Sequence, residues 1–359
     1  MSGFAFLEFA AGLVLLMIGA SLLVRGAVAL AARLGTPPLV IGLTVVAFGT
    51  SSPEVLVSLQ AAWVGDPEIA LGNVIGSNIF NVLFILGISA LVAPLVVSER
   101  LVRRDVPVMI AVSLLVYAFG WDGQLSSVEG IVLLATIVLY TSYLIRGARR
   151  GTVSTELPEA TVTKHWSIDT ALILGGLGLQ VVGSWWLVES SIRIATALGV
   201  SELVIGLTIV AAGTSLPEVA TSIAASARGQ RDMAVGNVVG SNIFNLLLVL
   251  GCAAVVSPVP FEVARAALAF DLPVMIAVAV ACLPIFVRGY SLDRWEGGIF
   301  LIYYVAYTVF LVLDATDHSA APVFGGLVLG FVMPITVLTL VVITFRARGR
   351  RQGSSPPPD

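Results

Sequence analysis

Long apolar runs separated by short polar stretches dominate the chain. Several runs exceed the roughly 20 residues that a helix needs to cross about 30 Å of hydrocarbon, and they lack the alternation typical of a membrane β-barrel. Lipid offers no partner for an unpaired backbone amide, so the runs predict helices. The predicted eleven spans lie at residues 7–30, 39–62, 69–93, 106–120, 125–146, 170–196, 203–227, 233–256, 270–288, 294–313 and 322–345.

One polar stretch occurs twice within this apolar pattern. Residues 42–81 and 206–245 align without a gap, with 24 of 40 positions identical. The similarity continues outside these blocks, since DVPVMIAV at Asp105–Val112 matches DLPVMIAV at Asp271–Val278. Each repeat is therefore predicted to be a five-helix unit. The predicted organisation is a first repeat (1–146), a cytoplasmic linker (147–169), a second repeat (170–315), an additional span (316–345) and a disordered cytoplasmic tail (346–359).

An odd number of spans in each repeat places the two repeats in the membrane with opposite orientations. If the N-terminus is outside, 17 of the 19 Lys and Arg residues lie on or near cytoplasmic segments, and only Arg193 and Arg265 do not. Membrane proteins show this bias towards positive cytoplasmic segments. Inverted repeats are typical of secondary transporters, whose substrates bind near the bilayer midplane. The predicted fold class is an all-α polytopic membrane protein with two inverted five-helix repeats and one extra C-terminal span.

Composition narrows the function classes further. A mean hydropathy of +1.01, with 58% hydrophobic and 11% charged residues, excludes a soluble globular domain. The net charge of −3 points to no particular partner, and neither a nucleic acid nor a protein partner is expected. Cys252 and Cys282 lie within apolar segments, where packing is the expected role. Ions and the lipid bilayer are therefore the expected partners, and no bound cofactor is expected.

Glu54 and Glu218 are the most informative side chains. Each lies well inside a predicted span, where an ionised carboxylate costs at least about 3 kcal/mol. No Lys, Arg or His accompanies either residue inside its span. A mobile inorganic cation is the best remaining counter-charge. Two such carboxylates, one from each repeat, neutralise one divalent or two monovalent ions.

The neighbouring residues fit a hard cation. Pro53 and Pro217 predict a helix break just before each Glu, and a broken helix frees carbonyl oxygens to act as ligands. Ser51 lies three residues before Glu54 on a shared helix face, and Ser215 and Glu218 repeat that spacing. Every group offered is an oxygen donor, without nearby Cys or His, which argues against soft metals.

The next predicted span of each repeat carries a polar stripe. Asn73, Ser77 and Asn81 recur every four residues, and Asn237, Ser241 and Asn245 repeat them. For Asn73 and Asn237, capping of freed backbone and ion binding are both open. Four further acids are interpreted as helix-start residues: Asp105, Asp271, Glu129 and Glu296.

The paired motifs G-T-S-x-P-E and G-N-x-x-G-S-N-I-F-N resemble the two alpha repeats of the calcium/cation antiporter superfamily, and above all its prokaryotic sodium/calcium exchanger branch. The resemblance covers about residues 10–313. It implies that Glu54 and Glu218 bind Ca²⁺ and, in exchange, Na⁺. It further implies that carbonyls and hydroxyls line the ion positions, with two central amides: Thr50, Thr214, Ala47, Ala211, Ser51, Ser77, Ser215, Ser241, Asn81 and Asn245.

One position departs from part of that superfamily. Some members carry Asp where this chain has Asn245, so two carboxylates stand here where those sites have three. The difference weakens a case for K⁺ cotransport and for a titrating group at the site centre. The expected function is electrogenic Na⁺/Ca²⁺ antiport by alternating access across a prokaryotic plasma membrane. A Ca²⁺/H⁺ antiporter and a K⁺-dependent exchanger are the alternatives, and a cation channel or an intramembrane hydrolase fits less well.

Overall fold

The structure is a computed structural model, and it describes residues 3–33, 47–150, 165–227, 229, 231–287, 289–316 and 325–326. These residues are almost entirely helical, as the apolar runs predict. Within these described residues, seven helices are long and apolar enough to cross a membrane, or eight if the bent pair Glu202–Thr214 and Leu216–Ala227 forms one span. The chain is therefore an all-α polytopic membrane protein.

The elements of the two halves follow the same order. In the first half they are α1 (Gly3–Arg33), α2 (Ala47–Thr50), α3 (Ser52–Val64), α4 (Pro67–Phe80), α5 (Gly87–Val92), β1 (Leu95–Val96), α6 (Val106–Phe119), β2 (Gln124–Leu125) and α7 (Ser127–Arg150). In the second half they are α8 (Trp166–Leu198), α9 (Glu202–Ile205), α10 (Ala211–Thr214), α11 (Leu216–Ala227), α12 (Arg231–Phe244), α13 (Leu250–Val256), β3 (Phe261–Glu262), α14 (Leu272–Val287), β4 (Ser291–Leu292) and α15 (Arg294–Ala315).

π-helical turns join several of these helices. Asn81–Leu86 lies between α4 and α5, and Asn245–Val249 lies between α12 and α13. Leu101–Asp105 and Ala267–Asp271 precede α6 and α14, and Gly206–Val210 joins α9 to α10. Turns of this type interrupt regular helices and are frequent at functional sites. Asn81 and Asn245 each begin one, at equivalent positions of the repeat.

The prediction of eleven spans is met only in part. Seven predicted spans coincide with helices of full crossing length, whereas 203–227 is a helix pair bent by 46°. The described part of 39–62 is split into α2 and α3, and 106–120 contains only the 14-residue α6. Apart from 325–326, the predicted span 322–345 and the tail 346–359 lie outside the described residues.

The segment 147–169, predicted to be a linker, begins and ends in helices. α7 continues to Arg150, and α8 already begins at Trp166. The run of Arg residues near the end of α7 ends the apolar stretch. Arg is nevertheless a good helix former, so the helix continues beyond the hydrophobic segment.

Two helical segments form the centre of the molecule. In their most apolar stretches, 83% of Pro67–Val92 and 78% of Arg231–Val256 is buried, compared with 17% of Arg294–Ala315. The outer helices expose large apolar side chains such as Ile302 and Leu139. That distribution suits a protein whose outer helices face lipid, and it shields the polar stripes of α4 and α12.

Two short antiparallel strand pairs join the halves. Leu95 of β1 pairs with Leu292 of β4, and Gln124 of β2 pairs with Glu262 of β3. Each pair therefore takes one strand from each half. By position in the repeat, β1 corresponds to β3 and β2 to β4, so no strand pairs with its own counterpart.

Helices α1 and α8 approach closely through glycine residues. A Cβ atom on Gly19 would lie 2.7 Å from the carbonyl oxygen of Gly176, and one on Gly176 would lie 2.7 Å from the carbonyl oxygen of Gly19. Gly12 and Gly183 form a second pair of this kind. Small residues permit such backbone contact between membrane helices.

Candidate cation-binding site

Both helix breaks lie where the prolines predict them. α2 ends at Thr50 and α3 begins at Ser52, with Ser51 between them at φ −85° and ψ 5°. In the second half, Ser215 separates α10 from α11 at φ −84° and ψ 8°. The two breaks therefore have nearly the same backbone geometry. Each turns the residues just before a Glu out of the regular helix.

The two carboxylates are buried and contact the opposite half of the chain. Glu54 is 1% exposed and Glu218 is 0% exposed. Ser215 Oγ donates to Glu54 Oε1 at 2.9 Å, and Ser51 Oγ donates to Glu218 Oε1 at 3.4 Å. Each Glu is therefore bonded to the serine of the other repeat, and not to the serine three residues before it in the sequence. The two repeats therefore contact each other at their helix breaks, and each carboxylate lies beside a serine of the other repeat.

Four buried side-chain oxygens of the predicted ion ligands have no hydrogen-bond partner. Among the described residues, six buried side-chain oxygens lack a hydrogen bond, and four of them belong to predicted ion ligands: Glu54 Oε2, Glu218 Oε2, Asn81 Oδ1 and Asn245 Oδ1. Buried polar atoms are usually satisfied, so an unsatisfied set needs an explanation. Neither Glu belongs to an ion pair of the described chain. The set offers oxygen ligands and negative charge to a cation.

Hydroxyl groups surround the carboxylates, as the sequence predicts. Ser51 and Ser215 each donate to a Glu of the other repeat, and Thr50 and Thr214 are the buried residues directly before them. Ser77 Oγ lies 3.4 Å from the carbonyl oxygen of Ala211, the first residue of α10. The equivalent alanine, Ala47, is the first residue of α2. The structure thus brings together hydroxyl and carbonyl groups that the sequence assigns to one site.

Asn73 ties the broken helix to its neighbour. Its Nδ2 donates to Ser58 Oγ at 2.9 Å and lies 3.4 Å from the carbonyl oxygen of Glu54. Its Oδ1 accepts from Thr214 Oγ1 at 3.0 Å. Asn237 Nδ2 makes the corresponding contact with Ser222 Oγ at 3.1 Å. Of the two roles left open by the sequence, the geometry favours attachment of backbone and helix over ion binding.

The other four acids also have local partners. Glu129 accepts from the backbone N–H of Ser126 at 2.7 Å, and Glu296 caps α15 through the N–H of Asp293 at 2.8 Å. Asp105 and Asp271 precede α6 and α14 and accept hydrogen bonds from Tyr140 and Tyr307, at 3.1 and 2.8 Å. Glu129 and Glu296 hold helix starts, as predicted. The interpretation of Asp105 and Asp271 as helix-start residues is wrong, because each ends a π-helical turn inside a continuous helical segment and bonds to a tyrosine of a neighbouring helix.

Three buried contacts near the candidate site could not be predicted from the sequence pattern. Asn78 and Asn242 lie between the halves, bonded to Asn245 and Asn81. Their identity in both copies of the repeat was a usable signal. Gln180 of α8 donates to Ser52 Oγ at 2.7 Å and is fully buried. Its repeat counterpart is Leu16, so the repeat gave no indication of this contact.

The fold is that of a polytopic helical membrane protein, and two similar halves bring buried carboxylates and unpaired amide oxygens together as a candidate cation site. Comparison with known proteins names the family: residues 4–146 and 168–313 match the sodium/calcium exchanger protein family. The chain belongs to that family.

Individual relatives agree with the family match. The sodium/calcium exchanger MaX1 of Methanosarcina acetivorans is 33% identical over 344 residues, covering 85% of this chain and 98% of that protein. The inner membrane protein YrbG of Escherichia coli K12 is 41% identical over 276 residues, covering 75% and 84%. A solved structure of the sodium-calcium exchanger NCX_Mj, soaked with Na⁺ and Sr²⁺, matches with a TM-score of 0.60 and 32% identity, covering 85% and 97%.

Loss of one cross-repeat hydroxyl is expected to weaken Ca²⁺ binding. Ser215→Ala removes the donor to Glu54 Oε1 and leaves that buried carboxylate without its protein partner. A hydrogen bond to a charged group contributes about 1.5–3 kcal/mol, so the half-saturating Ca²⁺ concentration should rise about tenfold or more. Titration of the purified variant with ⁴⁵Ca²⁺ measures the change. Thr196→Ala, which removes an exposed hydroxyl of α8 bonded within its own helix, is the control.

Proposed function

We propose that the protein is an antiporter that exchanges Na⁺ for Ca²⁺ by alternating access, with the ions bound near the bilayer midplane between inverted repeats. The observation that carries the proposal is the pair of buried carboxylates, each held by the other half and each with one free oxygen. The relatives named as sodium/calcium exchangers support the choice of ions.

The ligand chemistry supports these two ions. Ca²⁺ takes six to eight oxygen ligands, including carboxylates and carbonyls, and the described residues hold no cluster of three His, Cys, Asp or Glu that indicates another metal. Two carboxylates balance one Ca²⁺ or two Na⁺. Because both ions use the same oxygens, they compete for the site and cross in opposite directions. Exchange of three Na⁺ for one Ca²⁺ moves one net charge per cycle.

The strand pairs support opposite orientations of the two repeats in the proposed arrangement of eleven spans. α6 separates β1 from β2, so a single crossing by α6 puts those strands on opposite sides of the membrane. If the repeats had the same orientation, β1 and β3 would share a side and β2 could not meet β3. The pairing of β2 with β3, and of β1 with β4, therefore favours opposite orientations.

Alternating access requires part of the molecule to move past the site. The glycine contacts make α1 and α8 a close pair, and this pair touches the break of α3 through Gln180 and Ser52. Sliding of α1 and α8 against the central helices would open the site to each side in turn. The site residues themselves lie on the central helices and on the broken helices packed against them.

The proposed location is the plasma membrane of a prokaryote, where the protein expels Ca²⁺ as Na⁺ flows inward. The name of the Escherichia coli relative, an inner membrane protein, supports that location. The ions are substrates, and the proposal includes no resident cofactor and no protein partner.

Proteoliposomes test the function directly. Vesicles loaded with Na⁺ and diluted into Na⁺-free medium with ⁴⁵Ca²⁺ are expected to take up Ca²⁺. If more than two Na⁺ leave per Ca²⁺, net positive charge moves outward, so uptake should increase when a K⁺ diffusion potential makes the interior positive. Uptake that ignores the Na⁺ gradient and follows a pH gradient would identify a cation/proton antiporter instead. A requirement for K⁺ on the Ca²⁺ side would identify K⁺ cotransport.

A further inference from the structure

Four asparagines form a connected hydrogen-bond network where α4 and α12, with the π-helical turns that follow them, lie together. They are the two asparagines of each G-S-N-I-F-N motif: Asn78, Asn81, Asn242 and Asn245. We propose that Asn78 and Asn242 are positioning residues that fix the direction of the Asn245 and Asn81 amides, so that the oxygen of each amide faces the transported cation. The proposal rests on the site assigned above and explains how neutral amides serve as cation ligands there.

The orientations of the Asn242 and Asn78 side-chain amides are set by neighbouring groups that can only accept hydrogen bonds. Asn242 Nδ2 lies 3.2 Å from the carbonyl oxygen of Asn78 and 3.6 Å from Met109 Sδ. Asn78 Nδ2 lies 3.4 Å from the carbonyl oxygen of Asn242 and 3.7 Å from Met275 Sδ. A carbonyl oxygen and a thioether sulfur cannot donate. The NH₂ group of each amide must therefore face them, and its oxygen must face away.

The orientations of the Asn245 and Asn81 amides follow from those of Asn78 and Asn242. Asn78 Oδ1 lies 3.2 Å from Asn245 Nδ2, and Asn242 Oδ1 lies 3.0 Å from Asn81 Nδ2. Since these two oxygens can only accept, Asn245 and Asn81 must turn their NH₂ groups towards them. The oxygen and nitrogen of an amide are normally assigned from such a network. Here the main-chain carbonyls of Asn78 and Asn242 fix the orientations of all four amides.

The result is two oxygens without a protein partner. Asn81 Oδ1 and Asn245 Oδ1 are buried and unpaired, as are Glu54 Oε2 and Glu218 Oε2. An amide can present either end, and a reversed amide would direct its NH₂ group at the cation. A carboxylate has no such ambiguity. The network therefore removes a weakness that comes with Asn at these positions.

Each half orients the ligand of the other. Asn78 belongs to the first half and holds Asn245, whereas Asn242 belongs to the second half and holds Asn81. Asn81 and Asn245 also begin the π-helical turns that follow α4 and α12. Interhelical amide bonds can serve as packing contacts alone, so the test has to separate orientation from packing.

A double-mutant cycle makes that separation. Asn78→Ala is expected to raise the half-saturating ⁴⁵Ca²⁺ concentration of the purified protein about fivefold or more, as expected for a lost buried hydrogen bond. In an Asn245→Ala background the same substitution should change it less than twofold, because no amide remains to be oriented. Residues that act on one another show such non-additivity. Equal factors in both backgrounds would reduce Asn78 to a packing residue and overturn the proposal.

Asn81 supplies the matched control. Asn81 is held by Asn242, which in turn is anchored by the main-chain carbonyl of Asn78, and Asn78→Ala keeps that carbonyl. The effect of Asn78→Ala should therefore persist in full in an Asn81→Ala background. If Asn78→Ala does not fold, the mirror cycle of Asn242→Ala with Asn81→Ala gives the same decision, with Asn245→Ala as the control background.

The binding measurement does not depend on transport. A wild-type protein that binds Ca²⁺ but shows no Na⁺-driven uptake would contradict the proposed exchange and leave the cycle readable. Exchange that is intact in the wild type, with additive effects in the cycle, would contradict the orientation alone.

Discussion

Glu54→Gln and Glu218→Gln are each expected to abolish Na⁺-driven Ca²⁺ uptake. Either substitution keeps the size of a fully buried side chain and removes one of the two negative charges opposite the ion. Loss of one partner from a buried charge pair costs about 3–5 kcal/mol, which corresponds to a loss of affinity of about 10²-fold or more. Uptake of ⁴⁵Ca²⁺ into Na⁺-loaded proteoliposomes measures it.

Glu129→Gln is the matched control for those variants. It makes the same chemical change at an acid that begins α7, where Gln also serves as a cap. Uptake by this variant should remain close to that of the wild type. Full uptake by Glu54→Gln or Glu218→Gln, at wild-type Ca²⁺ affinity, would refute the site itself.

Gly176→Leu is expected to slow exchange at least tenfold, the second large effect. A Cβ atom at this position would lie 2.7 Å from the carbonyl oxygen of Gly19 and 2.7 Å from the backbone nitrogen of Leu23. The backbones of α1 and α8 must then move apart, and overpacking of this kind costs about 1–3 kcal/mol or more. Initial rates of Na⁺-driven Ca²⁺ uptake test the expectation.

The neighbouring glycine offers a stringent control. Gly175 is exposed, and a Cβ atom there would meet nothing within 4 Å. Gly175→Leu should therefore exchange ions at nearly the wild-type rate. If both variants transport equally well, close contact between α1 and α8 is not needed for function. Thermal unfolding of both solubilised proteins shows whether the slow variant is also less stable.

The sequence predicted the two buried carboxylates and the helix breaks beside them, but it did not predict their contacts. Glu54 and Glu218 stand out because an acid inside an apolar run is costly, and the prolines marked both helix breaks. The spacing of Ser51 and Glu54 nevertheless predicted a shared face within one helix. The structure pairs Ser51 with Glu218 and Ser215 with Glu54, across 167 and 161 residues.

The contacts of the four asparagines were also not predictable from the sequence. Asn78 and Asn242 were visible as identical residues of the repeat, but their role depends on the atoms that face them. Those atoms include main-chain carbonyls, which carry no sequence information. Gln180 was beyond reach altogether, because its partner Ser52 lies 128 residues away and Leu16 occupies the equivalent place in the first repeat.

By itself the sequence determined the helical membrane fold, the repeat and the chemical nature of the candidate ligands. Those features are local, because lipid provides neither hydrogen-bond partners nor counter-charges, and each segment must supply its own. The tertiary structure decided which half holds which carboxylate and which end of each amide faces the site. A hydrogen bond between distant residues depends on how the helices pack, and residue type and spacing do not encode that packing directly.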